Sequence, residues 1–325
     1  MRAILVQQLA GPEALVLADH QLEKPGADRL LIDVKYAGVN FADVLITKGK
    51  YQFQPELPFS PGGEVAGIVL KVGSAVQNFK PGERVVAGTT WGGFAEEALG
   101  FAFNAHHLPD DVSFKDAAAV LMTHGTVLHA LKDRAQLSIG ERLVILGASG
   151  GVGTAAIQLG NLLGAEVHAF TSSVEKSQYC KQAGADQVYV YSEESLKNQI
   201  KSATGGKGAD VIFDPIGGAY SEQAFRGIAP GGRHLVIGFA SGEVPKIPWN
   251  LPLLKSASIV GAFWGSFFRH YPEKNRKNVA QLLQWLQDGT LVPLVDQTYP
   301  LSETAMALQR LEDRQVKGKI LIKVA

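Results

Sequence analysis

One stretch of this 325-residue chain constrains its fold more than any other. Four apolar residues, Leu143-Val144-Ile145-Leu146, run into Gly147-Ala148-Ser149-Gly150-Gly151-Val152-Gly153 and then into an uncharged segment of helical length, 154–163. A strand that turns this tightly into a helix needs positive φ, which glycine supplies without strain. A turn whose backbone approaches a pyrophosphate leaves no room for Cβ, and the helix N-terminus offers unpaired N–H groups to the anion. Strand, glycine turn and helix in this order therefore predict a dinucleotide site, with Ser149, Gly150, Gly151 and Val152 as its phosphate contacts. The competing account, a turn that only lets helix and strand pack closely, uses the same glycines and no ligand.

The surrounding chain favours the first account. Short runs rich in Val, Ile and Leu at 142–147, 166–170, 187–190, 211–214, 233–237 and 258–261 alternate with helical-length segments at 152–163, 174–183, 193–203 and 220–228. Repeated strand-helix units imply right-handed βαβ crossovers and an α/β fold with a doubly wound parallel sheet. Before residue 110 the texture is different: short strands at 30–36, 63–72 and 84–87, separated by turns such as Lys80-Pro81-Gly82-Glu83, predict a compact barrel-like β unit. Ser113 and Asp116 have capping-box spacing, and 123–135 continues helically. A tail with helices at 274–287 and 302–311, an extended run at 292–299 and a last strand at 319–324 is expected to fold back onto the first unit. The expected division is 1–122 with 266–325, and 123–265.

Composition excludes several classes. Lys plus Arg and Asp plus Glu both number 31, and no basic run is present, so neither nucleic acid nor a membrane surface is an expected partner. Residues 143–165 carry no charge, but their glycines and polar residues suit a buried strand, turn and helix better than a membrane span. The single cysteine, Cys180, excludes an intramolecular disulfide and any multi-cysteine zinc site. With no apolar leader at the N-terminus, a reducing, cytoplasmic setting is expected.

The next strand end bears on which dinucleotide binds. An NAD site expects Asp or Glu roughly 20 residues on, to hold the ribose 2′-hydroxyl. Here Thr171-Ser172-Ser173 follows Phe170, with Lys176 three residues later. Hydroxyls and a cation suit a 2′-phosphate, so NADPH is the expected cofactor. Lys176 also fits a solvated first-turn lysine beside Glu175, and that alternative stays open.

The chain resembles the zinc-free quinone oxidoreductases of the medium-chain dehydrogenase/reductases, the zeta-crystallin-like group. The segments that carry this are Ala37-Gly38-Val39-Asn40 with Asp43, Pro61-Gly62-Gly63-Glu64-Val65-Ala66-Gly67, Gly82-Glu83-Arg84-Val85, the run from Gly140 through Gln158, Gly184-Ala185-Asp186, Asp214-Pro215-Ile216-Gly217-Gly218, Gly238-Phe239-Ala240-Ser241-Gly242 and Phe263-Trp264-Gly265. The departures are small: Val144 and Asn161 stand where the family signature usually has other residues. The resemblance implies a GroES-like catalytic domain, a Rossmann domain, a homodimer, and NADPH-dependent reduction of a small-molecule quinone or conjugated carbonyl. Zinc alcohol dehydrogenases of the wider family use Cys at the position of Asn40 and His in a Gly-His-Glu motif; here those places read Asn40 and Gly62-Gly63-Glu64. No metal site is expected, and alcohol oxidation is disfavoured without a Lewis acid.

By the same resemblance, Asn40, Asp43, Tyr51 and Thr126 lie near the nicotinamide or substrate carbonyl. Asn40 has the chemistry to donate to a developing enolate oxygen, or to cap a turn. Tyr51 suits a proton donor or an aromatic wall. Asp43 is expected to orient its neighbours, and Thr126 to reach the nicotinamide amide. Tyr191 matches a family tyrosine beside the 2′-phosphate. Gly238 and Phe239, and Phe263, Trp264 and Gly265, should flank the nicotinamide by their backbones, with Phe263 and Trp264 alternatively in a subunit interface next to a hydrophobic edge strand at 258–264. Reduction of acrylate-type acids, haloacrylates or enoyl thioesters is the rival activity, and a non-catalytic NADPH-binding protein the rival class.

Overall fold

The computed structural model describes residues 1–191 and 196–325; the first three residues of the helix predicted at 193–203 lie outside them. The chain divides into two compact units, Met1–Gly125 with His270–Ala325, and Thr126–Arg269.

The first unit holds strands β1 (Arg2–Val6), β2 (Leu15–Asp19), β3 (Arg29–Val39), β4 (Glu64–Val72), β5 (Arg84–Gly88), β6 (Glu97–Phe101) and β7 (Ala105–His107), and helix α1 (Phe41–Thr47). Helix α2 (Phe114–Leu128) opens on the expected cap: the Asp116 N–H donates to Ser113 Oγ at 3.0 Å. In β3 the apolar residues Leu30, Ile32 and Val34 are completely buried and pack with Val65, Val85 and Phe94 in one core. Alternate positions facing one side explain why a strand of this texture forms half of a layer.

The second unit is built from β8 (Arg142–Ile145), β9 (Glu166–Thr171), β10 (Gln187–Val190), β11 (Ala209–Asp214), β12 (Ile228–Val236) and β13 (Ser258–Gly261). The helices between them are α3 (Gly151–Leu162), α4 (Val174–Gln182), α5 (Leu196–Ala203), α6 (Gly218–Arg226) and α7 (Asn250–Lys255), and α8 (Trp264–His270) follows β13. All pairings are parallel, in the order β10-β9-β8-β11-β12-β13. The order reverses between β8 and β11, which makes the C-terminal ends of those two strands the switch point where such sheets bind ligands. The uncharged stretch 143–165 is strand, turn and helix, and among the described residues no helix is long and apolar enough to cross a membrane.

Two local readings change. Strand β12 starts at Ile228, well before the expected 233, because Pro230-Gly231-Gly232 forms a bulge inside it: Ala209 pairs Ile228 and Val211 pairs Arg233. The helix expected to run through 135 widens after Leu128 into a π-helical stretch, His129–Arg134, where Ala135 N–H bonds Ala130 O at 2.8 Å.

The chain then returns to the first unit with α9 (Pro272–Gln287), β14 (Val295–Pro300), α10 (Thr304–Glu312) and β15 (Lys319–Lys323). The sheet order is β14-β15-β3-β4-β5-β7, with β6 paired to β3. In the antiparallel β15–β3 pair, Ile320 faces Val39. That register brings Lys319, the residue before Ile320, beside Asn40, the residue after Val39.

Candidate cofactor and active site

The glycine turn follows β8. Gly147 has φ 58°, a left-handed conformation, and Gly150 is the N-cap of α3 with no side chain capping it. Gly153 is there for packing, since a Cβ on it would lie 2.4 Å from Gly147 O. Gly150 is different: the nearest atom to an added Cβ is 3.6 Å away. The first N–H groups of α3, at Gly151 and Val152, have no intrahelical acceptor. A helix end with open amides, no capping side chain and no Cβ at Gly150 fits a phosphate group.

At the end of β9, Thr171 is fully buried and its hydroxyl donates to Ser149 Oγ at 3.2 Å, tying the second strand end to the glycine turn. Ser173 caps α4 by accepting from Lys176 N–H at 3.3 Å, so the half-buried Lys176 sits in the first turn of that helix. Tyr191, one residue past β10, packs edge-on to Tyr220 at 4.8 Å. Gly238 and Phe239 follow β12, and Phe263, Trp264 and Gly265 follow β13. Except for Thr126, half-buried in α2, the expected cofactor residues thus all lie at or just beyond the C-terminal ends of this unit's strands. The Trp264 ring is buried and packs edge-on against Phe268 at 4.9 Å.

The turn after β11 has its own support. Asp214 Oδ1 accepts from Ile216 N–H at 2.9 Å and Gly217 N–H at 3.0 Å; Oδ2 accepts from the Ser221 hydroxyl and lies 3.0 Å from His234 Nε2. Burial alone would raise this carboxyl, but the His234, Ser221 and backbone hydrogen bonds hold it below the usual range. Sequence reasoning assigns Asp214 no role; the signal for it is the Asp-Pro-Ile-Gly-Gly run at a strand end.

In the first unit, Asn40 and Asp43 stand at the start of α1. Asp43 Oδ2 accepts from Asn40 N–H at 2.8 Å and Oδ1 from Gly62 N–H at 3.2 Å. Burial pushes the Asp43 carboxyl up to about 7; the backbone bond from Asn40 and the Lys319 charge oppose this, and Glu64 adds to it. The Asn40 side chain reaches residues outside its own helix. Its Nδ2 donates to Glu64 Oε1 at 2.8 Å and to Gly38 O at 3.3 Å, and its Oδ1 accepts from Lys319 Nζ at 2.6 Å. Lys319 Nζ also reaches Glu64 Oε1 at 2.6 Å, and Glu64 Oε2 accepts from Met122 N–H at 2.7 Å. Both carboxamide hydrogens of Asn40 therefore have protein acceptors already, and a substrate oxygen would have to replace the long contact to Gly38.

Sequence reasoning does not single out Glu64 and Lys319 as site residues. The available signal is a lysine that opens the apolar run Ile320-Leu321-Ile322. Tyr51 is half-buried beside Val6, Ile46 and Phe59, edge-on to Phe53 at 6.2 Å. Among the described residues no group of three or more His, Cys, Asp and Glu is arranged to hold a metal ion.

Comparison with known proteins matches residues 26–110 to the alcohol dehydrogenase GroES-like domain and residues 151–288 to the zinc-binding dehydrogenase domain. The chain is 36% identical to quinone oxidoreductase-like protein 2 homolog of Nematostella vectensis, over 99% of this chain and 88% of that protein. Quinone oxidoreductase of Rattus norvegicus is 34% identical over 99% of this chain and 97% of its own length. The crystal structure of Escherichia coli quinone oxidoreductase, complexed with NADPH, superposes with a TM-score of 0.93 at 30% identity, covering 100% of both chains.

Proposed function

The chain belongs to the quinone oxidoreductase family of medium-chain dehydrogenase/reductases, and from that premise we propose that it uses NADPH to reduce quinones or α,β-unsaturated carbonyls without zinc. The observation that carries the proposal is the uncapped N-terminus of α3 at Gly150, linked through Ser149 and Thr171 to a strand end that bears hydroxyls and Lys176 in place of an acid. Open amides suit the pyrophosphate, and a strand end without a carboxylate suits the 2′-phosphate. NADPH, when bound, supplies the hydride. The residues of the chain hold the cofactor, orient the acceptor and manage the oxygen that gains charge.

For that oxygen we assign Asn40 as the donor, through the Nδ2 hydrogen now given to Gly38 O at an N···O distance of 3.3 Å. Tyr51 or solvent supplies the proton that completes the product. Asp43 holds the first turn of α1 in place through Asn40 N–H and Gly62 N–H. The metal-free part of the proposal rests on Lys319: an ammonium 2.6 Å from both Asn40 Oδ1 and Glu64 Oε1 puts a positive charge where zinc-bearing relatives have ligands, and it would repel a divalent cation.

A homodimer is part of the same reading. Among the described residues β13 pairs on one side only, with β12, and Ile259 on it is exposed, as are Trp249, Leu253 and Leu254 of the preceding segment. An open strand edge beside exposed apolar side chains suits a second copy of the chain. A cytoplasmic setting rests on the single Cys180, buried and with its thiol pushed by burial up to about 11.

A screen of NADPH oxidation across quinones, enals, acrylates and enoyl thioesters, compared by kcat/KM, tests the activity. Quinones or conjugated carbonyls should lead; a lead of several orders for acrylates or thioesters would replace the substrate class, and no turnover of any would leave only cofactor binding.

A further inference from the structure

We propose that Lys319 is a positioning residue for the reduction: its ammonium, braced by Glu64, fixes the Asn40 carboxamide in one orientation and strengthens its N–H groups as donors. The role rests on the reductase reading above and adds to it a residue from the far end of the chain.

The geometry leaves Asn40 one orientation. Its oxygen faces the Lys319 ammonium at 2.6 Å and its nitrogen faces the Glu64 carboxylate at 2.8 Å. Rotating the amide by half a turn would set an NH2 against the cation and an oxygen against the anion, so both charges oppose it. A cation on the carbonyl oxygen draws electron density from the amide nitrogen, and chained hydrogen bonds polarise one another in this way most strongly where water is absent. The pair is shielded from bulk solvent: the Lys319 and Glu64 side chains are 4% and 1% exposed.

The brace is built for these side chains. The β15–β3 register sets Lys319 beside Asn40. Gly38 makes room for Glu64, since a Cβ there would lie 2.2 Å from Glu64 Oε1. Glu64 is held at its other oxygen by Met122 N–H, so the carboxylate cannot follow a moving lysine. A buried ion pair is a poor source of net stability compared with apolar residues of similar size. Fixing the amide that handles substrate oxygen gives the pair a function that stability does not.

The experiment is a kinetic cycle on the full-length protein. Wild type, Asn40→Ala, the neutral pair Glu64→Gln with Lys319→Met, and the three substitutions together are compared with NADPH and 1,4-benzoquinone. NADPH affinity of the neutral pair, read by fluorescence titration, should stay within about twofold of wild type, while its kcat falls about tenfold or more with a smaller change in KM. In the Asn40→Ala background the same pair should change kcat by less than about twofold, because the amide it acts through is gone. Equal losses in both backgrounds, or an unchanged kcat, would overturn the role. Should the neutral pair fail to fold, Lys319→Arg decides: its planar fork keeps the charge but not the geometry on Oδ1 and Oε1, so kcat should fall in wild type and hold in Asn40→Ala, and an equal fall in both overturns the role. A wild-type enzyme that turns over no quinone or conjugated carbonyl would overturn the reductase reading and this role with it, whereas an active wild type with an additive cycle overturns this role alone.

Discussion

Lys319 Nζ and Glu64 Oε1 lie 2.6 Å apart across 255 residues of sequence, with side chains 4% and 1% exposed. Removing one partner leaves a buried, unpaired charge. Glu64→Leu should therefore lower the unfolding free energy by about 3–5 kcal/mol, and adding Lys319→Met should restore much of it. Urea unfolding of the two variants checks this; a single variant as stable as wild type would show that solvent reaches the lysine.

Asp43 gives a pH dependence with a definite sign. Its folded-state carboxyl titrates at about 7 against 3.8 for an unperturbed aspartate, so the folded state binds the proton more tightly. The stability it contributes is fully present below 3.8 and is lost as pH rises through about 7. Asp43→Asn removes the titration at the cost of one acceptor, a loss that does not vary with pH. The difference in unfolding free energy between wild type and Asp43→Asn should fall between about pH 4 and 7 and level off above that; a flat difference across that range would mean that the carboxylate is better solvated than its 3% exposure implies.

Lys176 lies in the first turn of α4, at a strand end without an acid, and we propose that it sets the cofactor preference. Lys176→Glu should weaken NADPH about tenfold or more while changing NADH little or strengthening it, since the carboxylate repels the 2′-phosphate and can accept from a ribose hydroxyl. Fluorescence titration with both nucleotides reads the ratio. An unchanged ratio would assign Lys176 to solvent.

Gly153 is a packing position. Gly153→Ala drives a methyl to 2.4 Å from Gly147 O, and the turn must shift. Its expected cost is about 1–3 kcal/mol in stability together with weakened NADPH binding, because the proposed phosphate amides belong to the same turn. Calorimetric melting and nucleotide titration on one sample test both parts; unaltered binding would separate the turn from the phosphate site.

Local chemistry is legible in the sequence, and long-range chemistry is not. The glycine turn and the Ser113–Asp116 cap each declare themselves within a few residues, because turns and caps are decided by neighbours. The β10 and β13 strands are also readable, as short apolar runs between turn residues. The Pro230-Gly231-Gly232 bulge reads as a turn, since what holds it in β12 is pairing to β11, which no local signal carries. Asn40 stands out as a site residue, but the use of its side chain depends on Glu64 and on Lys319, brought in by the last strand. Exposed Trp249, Leu253 and Leu254 on and before α7 form no apolar stripe facing the core of their unit, which is why periodicity does not reveal that helix.

Metal-free reduction by NADPH is measured most directly as the rate of NADPH oxidation with 1,4-benzoquinone after exhaustive dialysis against a chelator. The predicted result is an undiminished kcat, with NADPH preferred to NADH by about tenfold or more in kcat/KM. Activity that disappears on chelation and returns with zinc, or equal use of the two nucleotides, would contradict it.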